Sequence, residues 1–329
     1  MYTDKVTEIL NIGGVHINSR VVLAPLAGIT DFVMRKLIRE YSSEYLIMTE
    51  MISSEAIVQK NDTAITYTDC KESPVSFQIE GHKPELMAKA AKILENKADI
   101  IDINMGCPIN KIVKGNDGCS LMRFPELAKD IVSAVKDAVK VPVTCKFRLG
   151  WNNDTKNFVE FAQLMQSAGA SAVTVHARTR SQLYSGRADW KAISQLKGEI
   201  DIPYIANGDV TSPETAMECL DISGASAVAI GRAAMGDLSL LYRIDKYLKT
   251  NKFIPEPQLK EKLYMLKKHL DSEILFRGEE NGIKFFRKFY PCYIKGIRGS
   301  AEYRYRLVTE MNYNTITDIL YEIEKENHV

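Results

Sequence analysis

Asp102-Ile103-Asn104-Met105-Gly106-Cys107-Pro108-Ile109-Asn110-Lys111 follows the run Ala98-Asp99-Ile100-Ile101 and reads as a strand feeding a loop. Asp102 and Asn104 are two apart, so on a strand they share one face. Polar side chains inside so apolar a run require partners, because unpaired burial is costly. Gly106 then frees the backbone, Cys107 brings a thiol, and Pro108 stiffens the exit. A reactive group and a small packed cysteine are both consistent with this stretch taken alone.

Working outward, the same unit recurs. Short apolar runs at Val21–Ala24, Tyr45–Met51, Pro74–Ile79, Asp99–Asn104, Val141–Leu149, Ser171–His176, Ile202–Ala206 and Ala225–Ile230 are predicted strands. Between them lie helical stretches. One runs from Thr30 or Asp31 to about Tyr41, others open at Pro84 and Pro125, and further ones cover Phe158–Ser167, Trp190–Leu196 and Pro213–Leu220. Near-continuous apolar strands alternating with helices indicate a parallel sheet covered on its outside. Eight such units predict an α/β fold, a (β/α)8 TIM barrel. An open doubly wound sheet is the alternative, but no GxGxxG follows the first strand. Phe253-Ile254-Pro255-Glu256-Pro257 punctuates the chain, and Leu259, Leu263, Leu266 and Leu270 then fall at helical spacing. Residues 1–250 are thus expected to form the barrel and 251–329 an all-helical domain.

Length supports this division, since 329 residues exceed the ~250 of a typical barrel. The net charge of +1 makes no global demand for a polyanion, so a nucleic-acid surface has to be local. The cysteines (Cys70, Cys107, Cys119, Cys145, Cys219, Cys292) form no CxxC pair and no zinc spacing, which suits cytosolic thiols and no metal. Met1-Tyr2-Thr3-Asp4-Lys5 opens no signal peptide, and no run approaches the ~18 apolar residues of a membrane helix. A cytoplasmic protein without membrane contact is expected.

In such a barrel the chemistry lies at the C-terminal ends of the strands. There stand Pro25-Leu26-Ala27-Gly28, Gln78, Asn104 with Cys107, Lys146 with Arg148, His176 with Arg178 and Arg180, Asn207-Gly208-Asp209, and Gly231-Arg232. Each has a plain structural alternative, a rim cation, a packed histidine or a turn. Together they make a phosphate seat, a buried cation, an amide for a ring edge and an open backbone. That inventory favours flavin mononucleotide over pyridoxal phosphate, although Lys146 also suits a Schiff base. From Ile283 to Arg306 seven basic residues (Lys284, Arg287, Lys288, Lys295, Arg298, Arg304, Arg306) face one acid, Glu302. Phe285, Phe286, Phe289, Tyr290, Tyr293, Tyr303 and Tyr305 are interleaved with them. Such aromatics either stack on bases or pack a helical core.

Ala24–Asp31, Asp102–Pro108, Lys146-Phe147-Arg148-Leu149-Gly150-Trp151, Val175–Arg180, Ile205–Asp209, Ile230-Gly231-Arg232 and Phe286-Arg287-Lys288 resemble the tRNA-dihydrouridine synthases, most closely the bacterial B-type branch. The resemblance implies an FMN barrel with a helical tRNA-binding domain that reduces the 5,6 double bond of D-loop uridines, with NADPH (or NADH) as reductant. By position it implies that Pro25, Leu26 and Ala27 lie against the isoalloxazine and that Gln78 pairs with its pyrimidine edge. Lys146 then faces N1/O2 and His176 contacts the cofactor. Asn207, Gly208, Asp209, Gly231 and Arg232 hold the ribityl and phosphate. Cys107 becomes the proton donor to C5 of uracil after hydride reaches C6 from flavin N5. Asn104, Arg148, Arg178 and Arg180, with Lys284, Arg287 and Lys288, face the tRNA, whose target base is flipped into the barrel mouth. A monomer and modification at tRNA position 17 are the accompanying expectations. Two departures stand out. Leu26 replaces a frequent Met, and Gly236-Asp237-Leu238-Ser239 replaces a Gly-Asn-Pro-Trp-like segment. A flavin barrel acting on a free pyrimidine, like dihydroorotate dehydrogenase, and a non-catalytic tRNA-binding protein are the alternatives.

Overall fold

A computed structural model describes residues 10–59 and 72–327; the expectations for Cys70 and for the first residues of the chain lie outside them. Eight parallel strands close into a ring: β3 (Val21–Leu23), β4 (Leu46–Met48), β6 (Val75–Glu80), β7 (Ile100–Met105), β8 (Val143–Arg148), β9 (Ala172–His176), β10 (Tyr204–Asn207) and β11 (Ala227–Ile230), which returns to β3. The predicted second strand breaks after Met48, and β5 (Ile52–Ser53) then pairs separately with β6 beyond the ring. The predicted barrel is therefore present, with strand ends moved by one to three residues.

Two layers of side chains hold it. Outward residues such as Phe77, Ile101, Ile103, Cys145, Phe147 and Val175 pack under the surrounding helices, with Phe147 edge-on to Phe161 at 5.1 Å. Inward residues behave differently at the two ends. At the N-terminal end Val22, Leu46, Ile100, Ala172, Ile205 and Ala227 make a dry plug together with Leu10, Ile12 and Ile17. The last three belong to an antiparallel hairpin, β1 (Leu10–Ile12) and β2 (Val15–Ile17), that the sequence reading did not anticipate. Its turn needs Gly13 (φ +56°), where a Cβ would come within 2.9 Å of Pro142 and Ser171. The hairpin thus abuts the entry to β8 and β9. At the C-terminal end the inward positions become polar, and there the site forms.

Local signals set the helices. Asp31 caps Phe32–Arg39 by accepting from Met34 N, and Ser212 and Thr215 make a capping box for Pro213–Ser223, which ends at Gly224 (φ +66°). From Leu259 the chain is helical, as expected, with helices over Leu259–Arg277, Glu279–Phe286, Tyr290–Tyr293, Ser300–Thr309 and Tyr313–Glu326. Their aromatics settle the earlier choice in favour of packing: Phe286, Phe289, Tyr290 and Tyr293 are fully buried around His269, and Tyr305 alone of that group is strongly exposed. Burial pushes His269 down to about 4, so it is a neutral ring within this core.

The helical region is fastened to the barrel beside the ends of β3 and β11. Lys288 Nζ donates to Gly28 O at 2.6 Å, Arg277 pairs with Asp31, and Phe276 meets Phe32 at 5.7 Å. Gly236, the residue that the departing segment keeps, is fixed by packing here. A Cβ on Gly236 would run into the carbonyl oxygen of Cys292 and lie 2.7 Å from its carbonyl carbon. In the departing part, Asp237 accepts from Ser239 N at 2.9 Å and from Arg243 Nη1 at 2.7 Å. Gly236→Ala should therefore cost about 1–3 kcal/mol through overpacking against rigid backbone; urea unfolding checks it, and an unchanged midpoint would contradict the contact.

Candidate active site

A cavity of ≈ 520 Å³ opens at the C-terminal end of the barrel. Pro25, Leu26, Ala27, Gln78, Asn104, Cys107, Lys146, Arg148, His176, Asn207, Gly208, Asp209, Gly231 and Arg232 all line it. Strand register explains this convergence. Gln78 sits beside Asp102, Asp102 beside Thr144, Asn104 beside Lys146, Arg148 beside His176 and His176 beside Asn207, so one face of every strand points inward.

A polarised relay crosses this layer. Asp102 accepts from Thr144 Oγ1 at 2.6 Å and from Gln78 Nε2 at 2.7 Å. The Gln78 carbonyl oxygen is thereby turned to accept from Asn104 Nδ2 at 2.7 Å. Asn104 Oδ1 is then free to accept from Gly106 N at 3.1 Å and Cys107 N at 3.0 Å. An ionised carboxylate only accepts, so it sets the sense of both amides in turn. The relay ends by fixing the backbone that carries the thiol. From the other side Cys119 N donates to Cys107 O at 3.1 Å, and Cys119 Sγ to Gly106 O at 2.9 Å. Gly118 (φ +57°) is required there, since a Cβ would lie 2.7 Å from Cys107 O.

Charge is arranged around this loop. Burial pushes the Cys107 thiol above its ordinary value, and the Ile109 N–H bonded to it only partly opposes that, so it is protonated at neutral pH. Burial, reinforced by Arg148, brings Lys146 down to about 8, while Asp102 pulls the other way. His176 is driven well below its ordinary value by burial and by Lys146, Arg148, Arg178 and Arg232, so it is neutral. Burial works against ionised Asp209, yet the hydrogen bond from Arg178 (2.6 Å) and that from Ala188 N (2.8 Å) hold it low.

The expected substrate-facing cations divide into two kinds. Arg148 donates to the carbonyls of Gly106, Thr179 and Leu183, and Arg178 to those of Ser185 and Gly186 as well as to Asp209. Both are nearly fully buried and brace the loops after β7, β9 and β10. Arg180 reaches the rim, where it donates to Asn110 Oδ1 at 2.6 Å. In the helical region Lys284 pairs with Glu280, Arg287 reaches the Met311 sulfur at 3.0 Å, and Lys288 turns inward to Gly28. The outward cations there are Lys295, Arg298 and Arg304. Asp209 binds Arg178 and Arg232 through its carboxylate, so only its backbone is suited to an anion.

Tyr184 escaped the sequence reading. It lines the cavity beneath the guanidinium of Arg232 at 4.6 Å and that of Arg148 at 5.6 Å. It sits in the irregular stretch after β9, where no periodicity marks a face. Among the described residues no group of three or more His, Cys, Asp or Glu could hold a metal, and no helix is long and apolar enough to cross a membrane.

A sequence profile described as "Dihydrouridine synthase" matches residues 22–324. The chain belongs to the dihydrouridine synthase family. A Synechocystis protein named probable tRNA-dihydrouridine synthase 1 is 41% identical over 91% of this chain and 84% of its own. A Pseudomonas aeruginosa protein named tRNA-dihydrouridine synthase B is 39% identical over 90% of each. Among solved structures, an old yellow enzyme homologue from Zymomonas mobilis superposes with a TM-score of 0.51 at 12% identity, covering 78% of this chain and 96% of that one. At that identity it shares the fold alone. Within this dihydrouridine synthase-family chain, each barrel motif that predicted membership contributes at least one residue to the cavity, whereas Phe286-Arg287-Lys288 does not line it.

Asp102 gives the site a measurable signature. Burial raises its pKa from 3.8 to about 6, so its contribution to stability is full below about pH 4 and is lost as pH rises through 6. Asp102→Asn keeps an acceptor for Gln78 and turns its NH2 to the Thr144 oxygen, preserving the relay without the titration. Relative to this variant, wild type should lose up to ~3 kcal/mol between about pH 4 and pH 7. Urea unfolding at both pH values measures it, and parallel profiles would exclude a titrating Asp102.

Proposed function

We propose that this protein is an FMN-dependent tRNA-dihydrouridine synthase that reduces the 5,6 double bond of D-loop uridine, with NADPH as reductant. One observation carries the reading: the Cys107 thiol and the half-buried Lys146 amine line the same cavity at the mouth of the barrel. The names of the relatives point to tRNA as the partner, and the catalytic barrel is assigned to residues 1–250 and the tRNA-binding helical domain to 251–329.

The lining suits a flavin phosphate. Lys146 makes no ion pair with any described residue, although burial disfavours its charge, so an electron-rich ring edge would complete its environment. At Gly231 an added Cβ would meet nothing closer than Leu26 at 3.8 Å, so its own packing does not require glycine. That leaves open space beside its backbone for a ligand. Pro25, Leu26 and Ala27 would support the ring, Gln78 and His176 its polar edge, and Asn207, the Gly208 and Asp209 backbone, Gly231 and Arg232 the phosphate end. FMN bound there supplies the hydride for C6 of uracil.

The chain's own residues then do the rest. Cys107 holds the proton that C5 requires, because burial keeps the thiol from ionising. The Asn104 carbonyl fixes the Cys107 amide, so the thiol is aimed by a buried network and not by a mobile loop. Neutral His176 adds no competing acid.

Cys107→Ala should lower dihydrouridine formation by about 10²-fold or more, while the protein stays yellow and still binds tRNA. Mass spectrometry of treated tRNA, the flavin spectrum and a filter-binding assay read the three quantities. Wild-type turnover with the variant would remove the thiol from the mechanism; turnover of free uracil or orotate in preference to tRNA would move the enzyme to another class.

A further inference from the structure

Arg123, Trp151 and Arg180 form a sandwich on the rim of the barrel. The guanidinium of Arg123 stands 4.7 Å and that of Arg180 4.8 Å from the indole centroid. The three come from different elements. Arg123 ends the short helical turn Gly118–Arg123 that braces Cys107, and Trp151 follows β8. Arg180 follows β9. Backbone bonds sew the last two loops together, Arg180 N to Gly150 O and Ser181 N to Trp151 O, both at 2.9 Å. Arg180 also donates to Asn110 Oδ1, three residues beyond Cys107.

Two features set this cluster apart from a merely structural stack. Neither guanidinium pairs with a carboxylate among the described residues, whereas Arg148 and Arg178 are tied to carbonyls and Asp209. Arg180 Nε, moreover, is buried with no hydrogen-bond partner among the described residues. A planar indole holding two cations in fixed orientation offers forked donors with little conformational freedom left to lose. That is the chemistry of an oxyanion receptor, and a phosphodiester is the anion that accepts such forks.

Its place in the ring indicates whose phosphate. Counting around the barrel, β8 lies opposite β3, and the helical region is fastened beside β3 and β11. The sandwich and the attachment of the helical region therefore lie on opposite sides of the ring, and a phosphate chain that reaches both crosses the mouth of the cavity.

We propose that the Arg123–Trp151–Arg180 sandwich binds an RNA phosphodiester flanking the nucleotide presented to Cys107. The inference rests on the proposed tRNA activity, so wild-type dihydrouridine formation is measured first and independently tests that reading. tRNA binding is then titrated across salt concentrations for wild type, Arg123→Gln and Arg123→Lys. Arg123→Gln should weaken binding several-fold and reduce the slope of log K against log salt by about 0.7–0.9, the value of one phosphate contact. Arg123→Lys should recover most of the slope. NADPH-driven flavin reduction without tRNA should stay at the wild-type rate in both. A wild-type salt slope in Arg123→Gln would show that the stack only braces the loops. A raised KM for NADPH with intact tRNA binding would assign the phosphate to the dinucleotide. Either result overturns the proposal, and neither depends on whether dihydrouridine is formed.

Discussion

Asp102 accepts two hydrogen bonds inside a closed barrel and, while ionised, donates none. That asymmetry propagates. Gln78 must turn its NH2 toward Asp102, so its oxygen faces Asn104; Asn104 must then turn its NH2 toward Gln78, so its oxygen faces the amides of Gly106 and Cys107. A reversal at any step leaves two donors or two acceptors facing each other in a buried layer, at a cost of roughly 1–3 kcal/mol. The geometry of the thiol is therefore decided five residues upstream on the same strand, by way of Gln78 on the neighbouring β6, at a residue that does not line the cavity.

Low dielectric makes the same layer sensitive in its charges. Lys146, Arg148, Arg178 and Arg232 crowd one end of the barrel, with Asp102 and Asp209 as the nearby carboxylates. The fold answers this crowding in three ways. It ties Arg148 and Arg178 to backbone carbonyls, keeps His176 neutral, and leaves Lys146 with a lowered pKa. The first two are structural solutions. The third leaves Lys146 with no ion pair to any described residue, and it is on this feature, more than on its position on a strand, that the proposed flavin site rests.

The barrel was legible because its signal repeats. Apolar runs of strand length separated by helical stretches occur eight times, and two-residue spacing put Asp102 with Asn104 and Lys146 with Arg148 on shared faces, which the strand register turns inward beside Gln78 and His176. What the pattern could not carry were features without a period. The hairpin of Leu10–Ile12 and Val15–Ile17 is two three-residue strands whose burial depends on the barrel floor. Tyr184 and Trp151 lie in irregular loops, where nothing local says which way a ring will face. Charge was the least legible quantity. Lys288, Arg148 and Arg178 looked alike in sequence to Arg180, yet three are occupied by internal partners and one reaches the rim. Counting cations along a chain measures supply, and only the fold shows how many are already spent on carbonyls and carboxylates.

The junction between barrel and helical region follows from the same accounting. Lys288 binds the carbonyl of Gly28, and Glu50 accepts from the amide of the same glycine. Gly28 closes the Pro25-Leu26-Ala27 loop that lines the cavity, so both polar groups of one residue in that loop are held, one of them from the helical region. At the other edge Gly236 lies against the Cys292 backbone, four residues after Arg232. The helical region thus touches the cavity wall at two places on neighbouring strands, β3 and β11. A force that shifts those helices must strain either the half-buried Lys288–Gly28 bond or a backbone contact with no slack. Binding of a large ligand across the helices and the mouth would therefore be felt at the cavity wall without any hinge in the barrel, because the connection is made by packed contacts and not by the linker at Phe253–Pro257.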